Sequence, residues 1–219
     1  MGLFREFTKT VATIIPFNKG IAVSKDQQSG IKVDVDSPEF PWFDMEGPVY
    51  VRSVGANSPS YNVYRGTLRE FQFGVNDQVE HTFHVPHDYV MGSDLYIHVH
   101  WSHNSANTPS GLVTWGFEVS YAKGHDQAPF STPFTFGVAQ SANPVQYQHM
   151  IAEVQLSSST PTALQLDSSL IEPDGLIMVR TYLLSNTMSP ATEPFAHFVD
   201  IHYKSTNIGT KNKVPDFWT

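Results

Sequence analysis

The sequence predicts an all-β protein, an antiparallel β-sandwich of the jelly-roll kind with an extended N-terminal arm. Apolar and polar residues alternate with a period of two in several segments, and clusters of Gly, Pro, Asn, Asp and Ser separate these segments at short intervals. The chain has 219 residues, 40% of them hydrophobic, which is enough for one such core. We assign residues 1–45 to the arm and residues 46–219 to the sandwich domain with a C-terminal tail.

The arm and the tail lack this alternation. Leu3 to Ile15 has apolar residues at helical spacing and fits either a short amphipathic helix or an arm ordered by a partner. The stretch from Asn18 to Pro48 is rich in Gly, Ser, Asp and Pro and fits an extended segment. Large apolar side chains in both places pack either on the protein's own sheet or on a neighbouring subunit. The predicted partner contacts are Phe4, Phe7, Trp42, Phe43, Phe217 and Trp218.

Strand signals fill the remainder of the chain. The segment from Gly111 to Gly124 alternates cleanly, with Val113, Trp115 and Phe117 among the residues of its apolar face. The segment from Val79 to Val85 repeats the pattern. Further β-rich runs are residues 176–184 and 195–204, and weaker candidates are residues 49–54, 68–74, 133–138 and 149–156.

One predicted strand carries an unusual concentration of histidine. Six of the ten histidines lie between His81 and His103. Alternate side chains of a strand share a face, so His98 and His100 project together and lie about 6.5–7 Å apart along the strand. The opposite face, predicted to enter the core, consists of Leu95, Ile97, Val99 and Trp101.

Three interpretations of these histidines stay open. They pack and hydrogen-bond on a polar sheet face or at a subunit contact, they bind a metal, or they take part in acid/base chemistry beside Glu118 or Asp200. The spacing of Gly92, His98 and His100 matches the first half of the cupin metal motif, but Asn104 and Ser105 stand where that motif requires Glu. We therefore predict neither a metal nor a cofactor, and the candidate ligands of any ion are His98, His100 and His103.

Composition and missing motifs exclude several function classes. The formal net charge is −8 and the 13 Lys and Arg residues are scattered, so we expect no nucleic-acid partner. The chain has no cysteine, which excludes disulfides and Cys-based metal sites. The apolar run VATII is too short for a membrane span, so we expect a protein without a membrane segment. Nucleophile elbows, P-loops and dinucleotide or zinc-protease motifs are lacking, and we predict that the protein is not an enzyme.

Four stretches of the sequence are informative in combination. They are PWFDMEG (Pro41–Gly47), FHVPHDYVMGSDLYIHVHWSHN (Phe83–Asn104), SYAKGH (Ser120–His125) and DIHYKSTNIGTKNKVPDFWT (Asp200–Thr219). Together they resemble a group of small virion proteins of tailed bacteriophages and prophages, and the resemblance runs from about Trp42 to the C-terminus. It implies a structural component of the virion without a defined chemistry.

From this resemblance we expect a capsid decoration or cement protein located in the virion and assembled in the host cytoplasm. The expected partners are further copies of the chain, most simply in a trimer, and the major capsid or other virion proteins. A neck or tail adaptor, or a fibre-attachment protein that binds a host glycan, is the first alternative. A cupin-like metal enzyme that uses His98 and His100 is the second.

Overall fold

The computed structural model describes residues 40–47, 57–141 and 145–206, together with the backbone of two short strands near the N-terminus. These strands, β1 (Ala22–Asp26) and β2 (Ser29–Lys32), pair as an antiparallel hairpin. They belong to the first of two units, Met1–Pro41, and lie within the residues that the sequence analysis assigned to the N-terminal arm. The predicted helix at Leu3 to Ile15 and the predicted contacts Phe4, Phe7, Phe217 and Trp218 lie outside the described residues.

The second compact unit, Trp42–Thr219, contains twelve further strands within its described residues. Its described residues also include a 3-10 turn at Ser168–Leu170. In the described ranges, no helix is long and apolar enough to cross a membrane. The strands are β3 (Trp42–Gly47), β4 (Ser60–Arg65), β5 (Leu68–Gln72), β6 (Gln78–His84), β7 (Tyr96–Ser102), β8 (Leu112–Ala122), β9 (Phe134–Ser141), β10 (Met150–Gln155), β11 (Ser157–Ser158), β12 (Leu166–Asp167), β13 (Leu176–Asn186) and β14 (Phe195–Lys204).

Two antiparallel sheets form the sandwich and confirm the predicted fold class. One sheet has the order β10-β7-β14-β5-β4, and β3 pairs with the remaining length of β14; the other has the order β6-β13-β8-β9. Setting aside the inserted β4–β5 hairpin and the short β11–β12 pair, eight strands are left. In chain order, the first sheet then runs first–eighth–third–sixth and the second runs second–seventh–fourth–fifth. This is the double Greek key of a jelly roll.

The core lies between the inner faces of the two sheets. From β8, Val113, Trp115 and Phe117 are fully buried, as the alternation predicted. From β7, Ile97 and Trp101 are fully buried on the face assigned to the core. Burial of each such side chain stabilises the fold by about 1.5–3 kcal/mol relative to its exposure.

The predicted domain boundary and one strand differ from the structure. The sandwich begins at Trp42, ahead of the predicted boundary at residue 46, because residues 42–47 pair with β14 along their whole length. Strand β4 was not predicted, and nearly all of its side chains are exposed, including Tyr61 and Val63, so no face of it enters the core. The predicted strand at residues 49–54 lies outside the described residues.

Close packing between the sheets requires a glycine at the end of β3. A Cβ on Gly47 would lie 2.3 Å from Cε1 of Phe83, a fully buried residue of β6. The carbonyl oxygen of Gly47 also lies 3.3 Å from Nδ1 of His81 on the same strand. The first strand of one sheet therefore contacts the first strand of the other through backbone rather than through a side chain.

We expect Gly47→Ala to destabilise the sandwich, because the added methyl group forces Phe83 out of its position. Overpacking of this kind costs about 1–3 kcal/mol, which corresponds to a melting temperature lower by about 2–10 °C for a domain of this size. Thermal unfolding followed by circular dichroism measures the change. Thr82→Ala, on the exposed side of β6, is the control, and an unchanged melting temperature in Gly47→Ala would contradict the packing described here.

Candidate functional site

The outer face of the six-stranded sheet carries a concentration of imidazole and carboxylate side chains. They come from four adjacent strands and from the turn that precedes β10. Because this face points away from the core, the burial of its central residues requires a separate explanation. We call this set the histidine face, and its members are Asp44, His98, His100, His149, Glu153, Asp200 and His202.

Strand register places these residues opposite one another. In the β7–β14 ladder, His98 pairs with Asp200 and Tyr96 pairs with His202. In the β10–β7 ladder, Glu153 pairs with His98. Directly paired residues share a face of the sheet, so these side chains lie side by side on its outer surface. The set is therefore produced by pairing between strands that are far apart in sequence.

His98 and His202 contact carboxylates at both ring nitrogens, and His100 contacts one at a single nitrogen. Nε2 of His98 is in direct contact with Oδ1 of Asp200, and Nε2 of His100 lies 3.2 Å from the same oxygen. Nδ1 of His202 lies 2.8 Å from Oε2 of Glu153, and its Nε2 lies 3.0 Å from Oδ1 of Asp44. Nδ1 of His98 is 3.7 Å from Oε2 of Glu153.

The centre of the face is closed to solvent by its neighbours. His98 is 1% exposed and Asp200 is 2% exposed, although both point outward from the sheet. The ring of Phe198 stacks on His100 at a centroid distance of 3.9 Å, and the ring of His149 stacks on it at 4.8 Å. Nδ1 of His100 lies 2.6 Å from Nε2 of His149, so one imidazole donates to the other.

The pKa values of Asp200 and His149 are both lowered, which favours the charged form of the carboxyl and the neutral form of the imidazole. Burial alone would raise the pKa of Asp200, but its contacts with His100 and His98 outweigh burial and lower the pKa below 3.8, so the carboxyl is ionised. Burial and then the nearby His100 lower the pKa of His149 below 6.5, so this imidazole is neutral at pH 7. The buried centre thus holds a carboxylate whose charge must be compensated.

The structure brings some of the predicted candidate ligands together and leaves one apart. The rings of His98 and His100 lie 4.7 Å apart, in agreement with the predicted shared face. His103 lies beyond the end of β7, where its Nδ1 accepts a hydrogen bond of 3.2 Å from the backbone N–H of Ser105. One ligand atom each of His98, Asp200 and His202 lie within 4.8 Å of one another, which makes these residues the set able to hold a metal ion among those described.

The sequence analysis named Asp200 as one of two possible partners of a histidine without placing it beside His98, and it missed His202. Both belong to the run at residues 195–204, which was correctly predicted as a strand. Their spacing, Asp-x-His, places the two side chains on one face, which is the available signal. What the sequence does not reveal is that this strand pairs with β7.

A second cluster of histidines surrounds Asp174 in the loop before β13. Nε2 of His84 and Nε2 of His87 each lie 3.0 Å from Oδ1 of Asp174, and Nε2 of His125 lies 2.8 Å from Oδ2. Burial alone would raise the pKa of Asp174, but the hydrogen bonds and charges of the three histidines outweigh burial and lower the pKa below 3.8. One carboxylate therefore holds the ends of three loops together.

The turn Pro86–Asp88 is fastened to the end of β14. The Tyr203 hydroxyl donates to Oδ1 of Asp88 at 3.2 Å, and the hydroxyl of Ser205 bonds Oδ2 of the same carboxylate. The backbone N–H of Thr206 donates to the carbonyl of Asp88 at 2.7 Å. Burial, with Asp88 close by, raises the pKa of Tyr203 to about 12, so its hydroxyl keeps its proton and remains a donor.

Strand β3, which among the described strands pairs only with β14 and is therefore called an edge strand, presents two large aromatic side chains to solvent. Trp42 is 48% exposed and Phe43 is 44% exposed, and alternation along β3 puts them on opposite faces of the sheet. Trp42 meets the ring of Tyr96 edge-to-face at 5.6 Å. A cavity of about 390 Å³ beside the histidine face is lined by Trp42, Tyr96, Glu153 and His202. The predicted partner contacts Trp42 and Phe43 are thus accessible, and their partners remain a prediction.

Comparison with known proteins yields no family. No protein-family model matches the chain, and no curated protein sequence matches it. Among solved structures, the chain is similar to the xylan-binding module CBM15, with 9% sequence identity and a TM-score of 0.36 over 75% of this chain and 97% of that chain.

Two structures from the Clostridium thermocellum xylanase 10B are also similar. For the CBM22-1 and GH10 modules complexed with xylohexaose, the identity is 11% and the TM-score 0.33, over 79% of this chain and 28% of that chain. For the C-terminal family 22 carbohydrate-binding module, the identity is 13% and the TM-score 0.31, over 76% of this chain and 88% of that chain. At such identities and TM-scores these similarities carry no argument about function.

We expect Asp174→Asn to lower the melting temperature by about 3–6 °C at pH 7, because three charge-assisted hydrogen bonds are weakened. Asparagine tolerates the left-handed backbone of this position, where φ is 63°. A carboxyl whose pKa is lowered by folding stabilises the fold above its ordinary pKa of 3.8, and the effect disappears as the pH falls through the lowered value. The difference from wild type should therefore shrink below about pH 4.

Thermal unfolding of both proteins between pH 3 and pH 7 measures this dependence. Asp126→Asn is the matched control, since Asp126 is an exposed residue of the neighbouring turn with φ of 57°. A difference between wild type and Asp174→Asn that stayed constant over this pH range would show that the carboxylate charge is not what holds the cluster.

Proposed function

We propose that the chain is a structural protein of a tailed-bacteriophage virion, most simply a capsid decoration protein. The observation that supports the proposal is where the resembling stretches lie in the fold. The stretches that resemble small virion proteins are separate in sequence, yet their described parts meet in the fold. Pro41–Gly47 supplies β3, Phe83–Asn104 supplies β7, and Asp200–Thr219 supplies the end of β14, and these three strands are neighbours in one sheet.

The contacts within these stretches support a structural role for them. The Pro86–Asp88 turn is bonded to Tyr203 and Thr206, which joins the second stretch to the fourth. His125, at the end of the stretch Ser120–His125, shares the Asp174 carboxylate with His84 and His87. Residues of the shared pattern therefore bond to one another and to Asp174, and these bonds hold loops and strands in place.

Exposed aromatic residues on the edge strand support an attachment surface. An edge strand has unpaired backbone groups, and large exposed side chains next to them are typical of a protein–protein contact. Trp42 and Phe43 combine both features on β3. Attachment through this edge would bury the side chains that were predicted from the sequence as partner contacts.

Quantitative mass spectrometry of purified particles tests the proposal. A decoration protein arranged on a symmetric capsid is present in on the order of hundreds of copies per particle. A count of about six or twelve copies would favour the neck or tail instead. Complete loss of the protein from particles during purification on a density gradient would contradict a virion role of either kind.

A glycan-binding virion protein is the second candidate, favoured by the cavity beside the histidine face. Its volume of about 390 Å³ falls in the range of small-molecule pockets, and it combines the rings of Trp42 and Tyr96 with the polar groups of Glu153 and His202. Aromatic faces pack against the C–H faces of sugar rings, and a carboxylate and an imidazole can bond sugar hydroxyls. The pocket therefore has the chemical character that a short oligosaccharide requires.

We expect Trp42→Ala to abolish binding on a glycan array, because it removes the most exposed wall of this pocket. Phe43→Ala is the matched control, since Phe43 is the next residue of the same strand with similar exposure but lies on the other face. Equal loss in the two variants would assign the effect to the edge strand in general. Absence of any bound glycan for the wild-type protein would remove this candidate.

A further inference from the structure

We propose that His98, Asp200 and His202 form a binding site for a divalent transition-metal ion, with Zn²⁺ as the best-suited ion. The site lies on the histidine face, at the pairing of β7 with β14. It goes beyond a structural role in a virion and does not depend on one.

The donor atoms have suitable types and spacing. Two imidazole nitrogens and one carboxylate oxygen lie within 4.8 Å of one another. Zn²⁺ binds such atoms at about 2.0–2.2 Å, so two ligands at a tetrahedral angle lie about 3.4 Å apart. The donors must therefore approach one another by at most about 1.4 Å, through rotation of their side chains, to reach a common ion.

The central side chains of the site are buried and incompletely bonded. Among the described residues, Oδ1 of Asp200, Nδ1 of His98 and Nε2 of His100 are buried atoms without a hydrogen-bond partner. Nε2 of His98 and Nε2 of His100 both lie close to Oδ1 of Asp200, so two imidazoles share one carboxylate oxygen. Native proteins rarely leave buried polar atoms unsatisfied, and a bound ion satisfies such atoms by coordinating them. A carboxylate that is 2% exposed also requires a nearby positive charge.

The surrounding carboxylates are placed as the outer partners of a metal site. A histidine that binds a metal through one nitrogen usually donates from the other to a carboxylate. Oε2 of Glu153 lies 2.8 Å from Nδ1 of His202, and Oδ1 of Asp44 lies 3.0 Å from its Nε2, so either nitrogen can bind while the other is supported. Nδ1 of His98 faces Glu153 at 3.7 Å while its Nε2 faces Asp200.

Charge and access agree with a cation. Asp44, Glu153 and Asp200 are three carboxylates whose contacts within the site are all with imidazoles. A bound dication compensates the negative charge of these carboxylates. The cavity lined by Glu153 and His202 opens to solvent beside the triad, which provides a route of entry and a position for a water or another fourth ligand.

The donor set selects the class of ion. Imidazole nitrogens suit Zn²⁺, Ni²⁺, Co²⁺ and Cu²⁺, whereas Mg²⁺ and Ca²⁺ prefer sites made of oxygen. Two histidines and one carboxylate therefore predict binding of Zn²⁺ and Co²⁺ without competition by Mg²⁺. Because the ligands come from two strands, a bound ion links β7 to β14 and stabilises the folded state.

Isothermal titration of the untagged, chelator-treated full chain with ZnCl₂ and with CoCl₂ tests the site. We expect one saturable ion per chain, no competition from millimolar MgCl₂, and a higher melting temperature with Zn²⁺. His202→Gln should weaken Zn²⁺ binding by at least about tenfold. This variant is chosen because His202 is partly exposed and its replacement leaves the buried residues in place.

His87→Gln is the matched control. The side chains of His87 and His202 are both 34% exposed, and each contacts a carboxylate at 3.0 Å. The control should bind Zn²⁺ as wild type does. Absence of saturable binding, equal loss in the two variants, or displacement of Zn²⁺ by Mg²⁺ would overturn the proposal, and charge compensation by a protonated imidazole would then account for the cluster. None of these outcomes depends on whether the protein is found in particles or binds glycans.

Discussion

The register between β7 and β14 is the constraint on which the rest of the molecule depends. It places Ile97 opposite Ile201 on the core side and His98 opposite Asp200 on the outer side. Because the side-chain period of a strand is two, a shift of one residue would turn the imidazoles into the core and the apolar residues outward. The hydrophobic core and the histidine face are therefore two results of a single pairing, and the burial energy of the first maintains the arrangement of the second.

The two histidine clusters solve the problem of a partly buried carboxylate in different ways. At Asp174 the three imidazoles each approach within hydrogen-bond distance, and the carboxylate keeps 22% of its side chain exposed. At Asp200 the carboxylate is nearly inaccessible, and one of its oxygens has contacts but no hydrogen bond. In the first arrangement, the contacts with three histidines satisfy the carboxylate, and the cluster joins loops. The second leaves buried polar atoms of Asp200 and His98 without a hydrogen bond, and this difference distinguishes the structural cluster from the proposed metal site.

The sequence predicted the fold where a strand has an apolar face that enters the core and failed where it has none. The faces of β7 and β8 were predicted residue by residue, because alternation directly reports which side enters the core. Strand β4 has no such face. For the site, alternation placed His98 and His100 together, but a period of two describes neighbours within one strand only. Asp200 and His202 enter the site through pairing with a strand about a hundred residues earlier, which single-strand patterns do not encode.

The pairing of Trp42 with Lys204 has a mechanical consequence. It puts the start of β3 beside the end of β14, at one end of one sheet. Tension that draws these two points apart opens their ladder one hydrogen bond after another. Tension that draws both points in the same direction, against a load on the rest of the sandwich, instead shears β14 along β7, where the hydrogen bonds of the ladder resist together. A single partner that holds both points would therefore load the domain in the direction in which its ladders resist best. Two separate partners that pull the points apart would load it in the direction in which the ladder of β3 and β14 opens stepwise.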